Sequence, residues 1–173
     1  ANEPLGENGV YMEVATRDEN LHVGVGSHLE GTCRDRDVLG NRVFHAFGEQ
    51  GVEFCDFRAD EGDSVVLTKY VAMFDGRDTP ADELHATTCR EVEDFVAEGF
   101  EREFEVHADI YRKMWGQANI DIEGDPELDR AIRLNVFHLM STANEHDDRV
   151  NVGAKLLTGE EYGGHAFWDT ELF

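Results

Sequence analysis

The chain has 173 residues, 40% of them hydrophobic, enough for one substantial domain or two small ones. Its 38 acids against 15 bases leave a net charge of -23, spread along the whole length instead of gathered in a tail. Nucleic acid and anionic membrane surfaces are excluded as partners, because both need clustered lysine and arginine.

Only three lysines occur, Lys69, Lys113 and Lys155. Acid-rich, lysine-poor composition predicts a salt-loving source, where ionic strength screens a self-repulsion that otherwise loosens the fold. No apolar run reaches the roughly 18 residues that span a bilayer, and "ANEPLGENG" lacks the regions of a signal peptide. The missing initiator methionine predicts a start made by a cut. Cys33, Cys55 and Cys89 form no C-x-x-C pair, so neither a disulfide framework nor a zinc knuckle is expected, and a reducing cytoplasm fits best.

From Val10 to Gly76 the pattern is strand-like. "GVYMEVAT", "LHVGVGSHL", "GVEFCDF" and "SVVLTKYVAMF" are separated by turn-rich stretches such as "GTCRDRDVLGN" and "ADEGD". Such spacing predicts an antiparallel sandwich with too few strands to close, the last part of a larger β-domain.

The character changes at "GRDTPADEL", where Thr79 is expected to cap a helix and Pro80 to take its first position. Apolar residues then recur at helical spacing to about Gln117, and Gly99 splits the stretch into two helices. "ANIDIEGD" reads as a short β-like piece. Asp125 and Pro126 read as the cap and first-turn proline of a third helix, whose stripe of Leu128, Ile132, Val136, Leu139 and Met140 is expected to pack in a core. A polar, glycine-rich loop runs from Asn144 to Gly164 and ends in "GGHAFWDTELF".

The acids of "DIEGDPELD" alternate like a calcium loop but fail its pattern, with glycine at the fourth position and Ile132 in place of the last ligand. The eight histidines show no H-E-x-x-H and no ligand pair, so no metal is expected. His107 and His138 read as packing residues of helices. No nucleophile elbow, P-loop or dinucleotide fingerprint occurs. What remains is the terminal cluster. His165 lies in a glycine-flanked loop beside Phe167 and Trp168, Asp169 can accept hydrogen bonds from vicinal hydroxyls, and Trp168 offers an apolar face to a pyranose ring.

The stretch "GAKLLTGEEYGGHAFWDTELF" resembles the inverting α-glucoside phosphorylases of glycoside hydrolase family 65, whose members act on maltose, trehalose, kojibiose and nigerose. "HADIYRKMWGQANIDIEGD" and "AIRLNVFHL" resemble the segment joining that family's N-terminal sandwich to its barrel. The resemblance implies an α+β chain: residues 1–78 as the end of an N-terminal β-supersandwich, 79–124 as a helical linker with a short strand, and 125–173 as the start of a truncated (α/α)6 catalytic barrel. The chain is then a fragment, which explains why it stops at the "FWDTE" loop.

In the family, phosphate attacks the anomeric carbon of a terminal α-glucosyl unit while one glutamic acid protonates the leaving oxygen, giving β-glucose 1-phosphate. That acid is implied to lie beyond Phe173, so Glu171 is not assigned to it. Trp168 and Asp169 resemble the residues contacting the glucosyl unit, Phe167 and His165 shape the pocket, and Tyr162 belongs to the same wall. Thr170 and Glu171 orient the loop. Inorganic phosphate is the co-substrate, an α-linked glucose disaccharide the partner, and no cofactor is implied. Family members are often dimers, so a homodimer is expected. Leu156 and Glu161 replace two glycines of the usual A-K-G-L-T-G-E-G-Y, and Tyr111 stands where tryptophan is common. Glycines permit backbone angles that bulky residues resist, so these changes bear on loop geometry and acceptor preference.

Two other readings stand beside this one. The first is a trehalose hydrolase of the same family, against which the "FWDTE" ending speaks; the second is a noncatalytic carbohydrate-binding module.

Overall fold

The computed structural model describes residues 1–34, 36–48, 50–142, 147, 149, 151–156 and 161–168. The chain divides into two compact units, Ala1–Glu105 and Val106–Phe173.

The first unit is built on one antiparallel sheet. Its strands are β1 (Asn2–Leu5), β2 (Gly9–Ala15), β3 (His22–Cys33), β4 (Arg36–Asp37) and β7 (Val66–Asp75). The long β3 is central: β2 and β4 pair with one edge and β7 with the other. A separate hairpin, β5 (Gly40–Phe47) with β6 (Gln50–Asp56), lies against β1 and β2.

Period-two alternation decides which face is covered. Tyr11, Ala72 and Leu5 are buried with Val92 of the helix α1 (Leu84–Glu98), and Phe74, Cys89 and Phe95 pack at their edge. The helix comes this close because β3 carries glycine where it crosses. A Cβ on Gly24 would stand 3.0 Å from Leu84 and Thr88, and one on Gly26 would meet Thr88 and Val92 at 3.0 and 3.1 Å. On the other face a Cβ at Gly51 of β6 would clash with Val10 of β2. Helix, sheet and hairpin therefore form layers. The sheet-rich unit and the three helices of the described residues meet the α+β expectation.

Several local expectations are corrected. "GTCRDRDVLGN" is not a plain loop, because β3 runs through Cys33, reverses, and returns as β4 before β5 begins at Gly40. Helix α1 starts at Leu84 instead of Pro80. Thr79 is buried and donates its N–H to the Asp75 carbonyl, and the Pro80 carbonyl accepts from Glu83, so this stretch is spent on the turn out of β7. The break at Gly99 is present: its φ of 84° suits glycine, and α2 (Phe100–Ala118) begins at the next residue.

"ANIDIEGD" forms no strand. It lacks a ladder partner and is tied to the following helix, with the Ile122 N–H donating to Asp129 Oδ1 at 2.9 Å and Arg133 holding Asp121. Helix α3 (Pro126–Thr142) is capped as expected, Asp125 Oδ1 accepting from Leu128 N–H at 3.0 Å. Its apolar stripe is not a core here. No residue of α3 is buried; Leu128 and Leu139 are exposed, and Ile132, Val136 and Met140 are half-buried. An amphipathic period marks a face to be covered but does not supply the cover.

Candidate functional site

The aromatic wall at the end of the second unit is shaped by its backbone. Residues Glu161–Gly164 form a 3-10 turn in which Tyr162 and Gly163 both take left-handed angles, φ 63° and 60°. The His165 N–H donates back to the Tyr162 carbonyl at 3.1 Å, closing the reversal. The Tyr162 and Phe167 rings thereby meet edge to face, centroids 5.6 Å apart at 85°. Trp168 is 76% exposed, and Tyr162, His165 and Phe167 are exposed too. The structure thus brings Tyr162 and Phe167 together and leaves His165 and Trp168 open to solvent. Asp169, Thr170 and Glu171 lie outside the described residues.

An open aromatic surface suits the apolar face of a sugar ring better than an ion, since it buries flat C–H surface without demanding charge. The loop before it is strained at a telling place. Leu156, in a position where the resembling family has glycine, adopts φ 53° in a turn closed by its N–H to the Gly153 carbonyl at 2.9 Å. A leucine in that region opposes its own Cβ sterics.

Tyr111, another of the departures, reaches across to α3. Its hydroxyl lies 3.0 Å from Ser141 Oγ of α3, while its ring packs on Phe137 at 5.7 Å and His107 at 4.6 Å. His107 itself is exposed and its ring leans on Tyr111 one helical turn away. Nothing in the sequence pointed to Ser141, because the two residues are joined only by the folding of α3 on the end of α2.

Cys89 lies beside a histidine without being activated by it. Cys89 Sγ lies 3.6 Å from His85 Nε2, yet burial together with Glu93 and Glu3 pushes the thiol up, the reverse of activation. His85 is instead engaged by Glu3 at 2.7 Å. Cys33, Cys55 and Cys89 are free thiols. Among the described residues no three metal-ligating side chains converge, and no helix is long and apolar enough to cross a membrane.

Comparison with known proteins gives the family of this layered β-unit and the helices that follow it. Residues 1–114 match the N-terminal domain of glycosyl hydrolase family 65, and residues 133–173 match that family's central catalytic domain. The chain belongs to glycosyl hydrolase family 65. It is 42% identical over 177 residues to a kojibiose phosphorylase of Caldanaerobacter subterraneus subsp. tengcongensis, covering 99% of this chain and 23% of that protein. A maltose phosphorylase of Bacillus subtilis is 41% identical over 107 residues, 62% of this chain and 14% of the relative. An alpha,alpha-trehalose phosphorylase of Thermoanaerobacter brockii is 33% identical over 132 residues, 76% of this chain and 17% of the relative. The chain spans about a quarter of the length of the curated relatives it matches most fully.

Proposed function

We propose that this chain is part of an α-glucoside phosphorylase, which transfers the terminal glucosyl unit of a disaccharide to phosphate with inversion and releases β-glucose 1-phosphate. The observation that carries the reading is the likeness to a kojibiose phosphorylase along 99% of the chain at 42% identity. The exposed Tyr162, Phe167 and Trp168 support it as an apolar wall for a glucosyl ring.

In this reading residues 1–78 end the N-terminal β-supersandwich, 79–124 form the linker, and 125–173 open an (α/α)6 barrel. The uncovered apolar stripe of α3 fits a helix that packs against further barrel helices. Trp168 stacks on the glucosyl unit and Asp169 accepts hydrogen bonds from its hydroxyls. His165, Phe167 and Tyr162 line the same wall. The general acid and the phosphate ligands belong to later positions of a longer chain. Phosphate replaces the base-activated water of an inverting hydrolase, so a single acid is enough.

The composition supports a salt-adapted source, and three free thiols fit a reducing cytoplasm. The reading extends to a homodimer. A hydrolase is the second reading, favoured by 48% identity over 59 residues to a Mycobacterium tuberculosis protein named an uncharacterized glycosyl hydrolase.

The deciding experiment assays the intact natural protein with kojibiose, maltose and trehalose, with and without phosphate. Phosphate-dependent release of glucose 1-phosphate is expected, and sugar release at the same rate without phosphate would make the hydrolase reading correct. This chain alone is expected to release none.

A further inference from the structure

One edge of the sheet in the first unit is left open. β7 runs ten residues, Val66–Asp75, in unbroken antiparallel register with residues 23–32 of β3, and among the described residues it pairs with β3 alone. At about 3.4 Å per residue its free edge is roughly 34 Å long, and half of its N–H and C=O groups point away from β3. Edges of this length are ordinarily blunted by proline, a bulge or several lysines. β7 has no proline, no register shift and a single lysine, Lys69.

The side chains repeat the incompleteness. Tyr70 and Ala72 lie on the face that α1 covers and are buried. The alternate residues lie on the opposite face, because Val71 stands opposite Ser27 and Ser27 opposite Val10, the residue that Gly51 of the hairpin approaches. The hairpin covers that face over β1 and β2. Over β7 it is bare: Leu67, Val71 and Met73 are 55%, 46% and 66% exposed. Apolar side chains at period two beside unpaired main-chain groups fit a strand, which satisfies both at once.

The source of that strand follows from charge and from domain order. A second copy would set one body of charge -23 against another, with only three lysines in each to offset it. A strand of the same polypeptide covers the face without doubling that charge. Residues 1–114 match an N-terminal domain and residues 133–173 a catalytic one, so chain beyond Phe173 continues the catalytic domain and strands that complete the β-unit come before Ala1. The relatives leave length for them, since the chain covers 23% of one kojibiose phosphorylase.

We propose that a strand of the intact protein's own N-terminal domain, from the chain before Ala1, pairs with the free edge of β7 and lays apolar side chains over Val71 and Met73. This rests on the reading of the chain as part of a longer family member, and it stands whether that protein phosphorolyses or hydrolyses its substrate.

The test uses the intact natural protein. Hydrogen exchange resolved to single amides is expected to show residues 67–74 protected without alternation, the amides that point away from β3 slowed by about a hundredfold or more relative to free peptide. A benzophenone amino acid is then placed at Met73, which is too exposed to hold the fold, and the cross-linked peptide is identified by mass spectrometry after irradiation. A peptide from before Ala1, in a product of monomer mass on a denaturing gel, is the expected result. Fast exchange at alternate β7 amides overturns the proposal. So does a cross-link to residues after Phe173, or a product of twice the monomer mass, which makes a second copy the occupant. Neither readout involves activity, so failure of the phosphorylase reading and failure of this proposal are told apart.

Discussion

Gly24 of β3 lies directly beneath Thr88 of α1, so close that a Cβ on the glycine would stand 3.0 Å from the threonine Oγ1. Thr88 is fully buried and donates its hydroxyl to the Leu84 carbonyl at 2.8 Å, so it cannot swing aside without losing that bond. Gly24→Ala is therefore expected to cost about 1–3 kcal/mol by overpacking. Gly116→Ala, where nothing lies within 4 Å, should instead stabilise α2 by roughly 0.5–1 kcal/mol. Urea melts of both variants check the contrast in sign; equal effects would refute the close approach.

Arg42 of β5 ties the hairpin to the sheet. Its guanidinium binds Glu53 of β6 at 2.8 Å and the Leu29 carbonyl of β3 at 2.6 Å, with only 14% and 12% of the two charged side chains exposed. Arg42→Met strands a shielded carboxylate and is expected to cost about 3 kcal/mol. Adding Glu53→Leu should recover at least half of that loss. A double variant no more stable than Arg42→Met would show that the pair matters less than the Leu29 contact.

Glu13 makes stability depend on pH. The His22 hydrogen bond at 2.7 Å, and then that from the Tyr11 hydroxyl at 3.0 Å, hold its carboxyl below the ordinary value of 4.5 against the opposing effect of burial. A depressed folded pKa favours the fold above the unfolded value, so this contribution is complete above about 4.5 and disappears as pH falls through the folded pKa. Thermal melts between neutral pH and pH 3 should show Glu13→Gln flattening the acid limb. An unaltered limb would remove Glu13 from the account.

Leu156 sits at φ 53°, where its Cβ opposes the backbone by about 1–2 kcal/mol. Glycine there relieves the strain and loses part of the gain to unfolded-state entropy. Leu156→Gly should thus hold or raise the Tm, whereas Leu134→Gly in the exposed interior of α3 should lower stability by about 1 kcal/mol. A clear drop from Leu156→Gly would mean that the side chain packs where the backbone alone has been credited.

Trp168 is too exposed to hold the fold, so Trp168→Ala should change stability by no more than about 0.5 kcal/mol. For the phosphorolysis proposed for the intact protein, the same change, and Asp169→Asn, should each lower kcat/KM by roughly tenfold or more, which is about 1.4 kcal/mol of lost transition-state binding. Unchanged kinetics in both would sink the sugar-wall assignment.

The sequence was legible wherever a physical rule acts locally. Gly99 ended a helix because only glycine takes its angle at no cost, and Asp125 capped α3 because its carboxylate reaches free N–H groups within its own turn. Strand periodicity located β2, β3, β6 and β7. The motif from Gly153 to Phe173 carried the resemblance to the family, and residues 133–173 match that family's central catalytic domain.

What depended on distant parts of the chain had to come from the tertiary structure. Pro80 looked like a helix start, but leaving β7 for the sheet face consumed that turn, and α1 began at Leu84. "ANIDIEGD" had strand composition and no partner edge, and a strand without a ladder is only extended chain. Leu29, Arg42 and Glu53 share no motif; the β5–β6 hairpin and its return to β3 bring them into one cluster. Composition and local pattern determine which elements form and which faces are apolar. Which of those faces meet, and which charges end side by side, follows from long-range packing that no short stretch encodes.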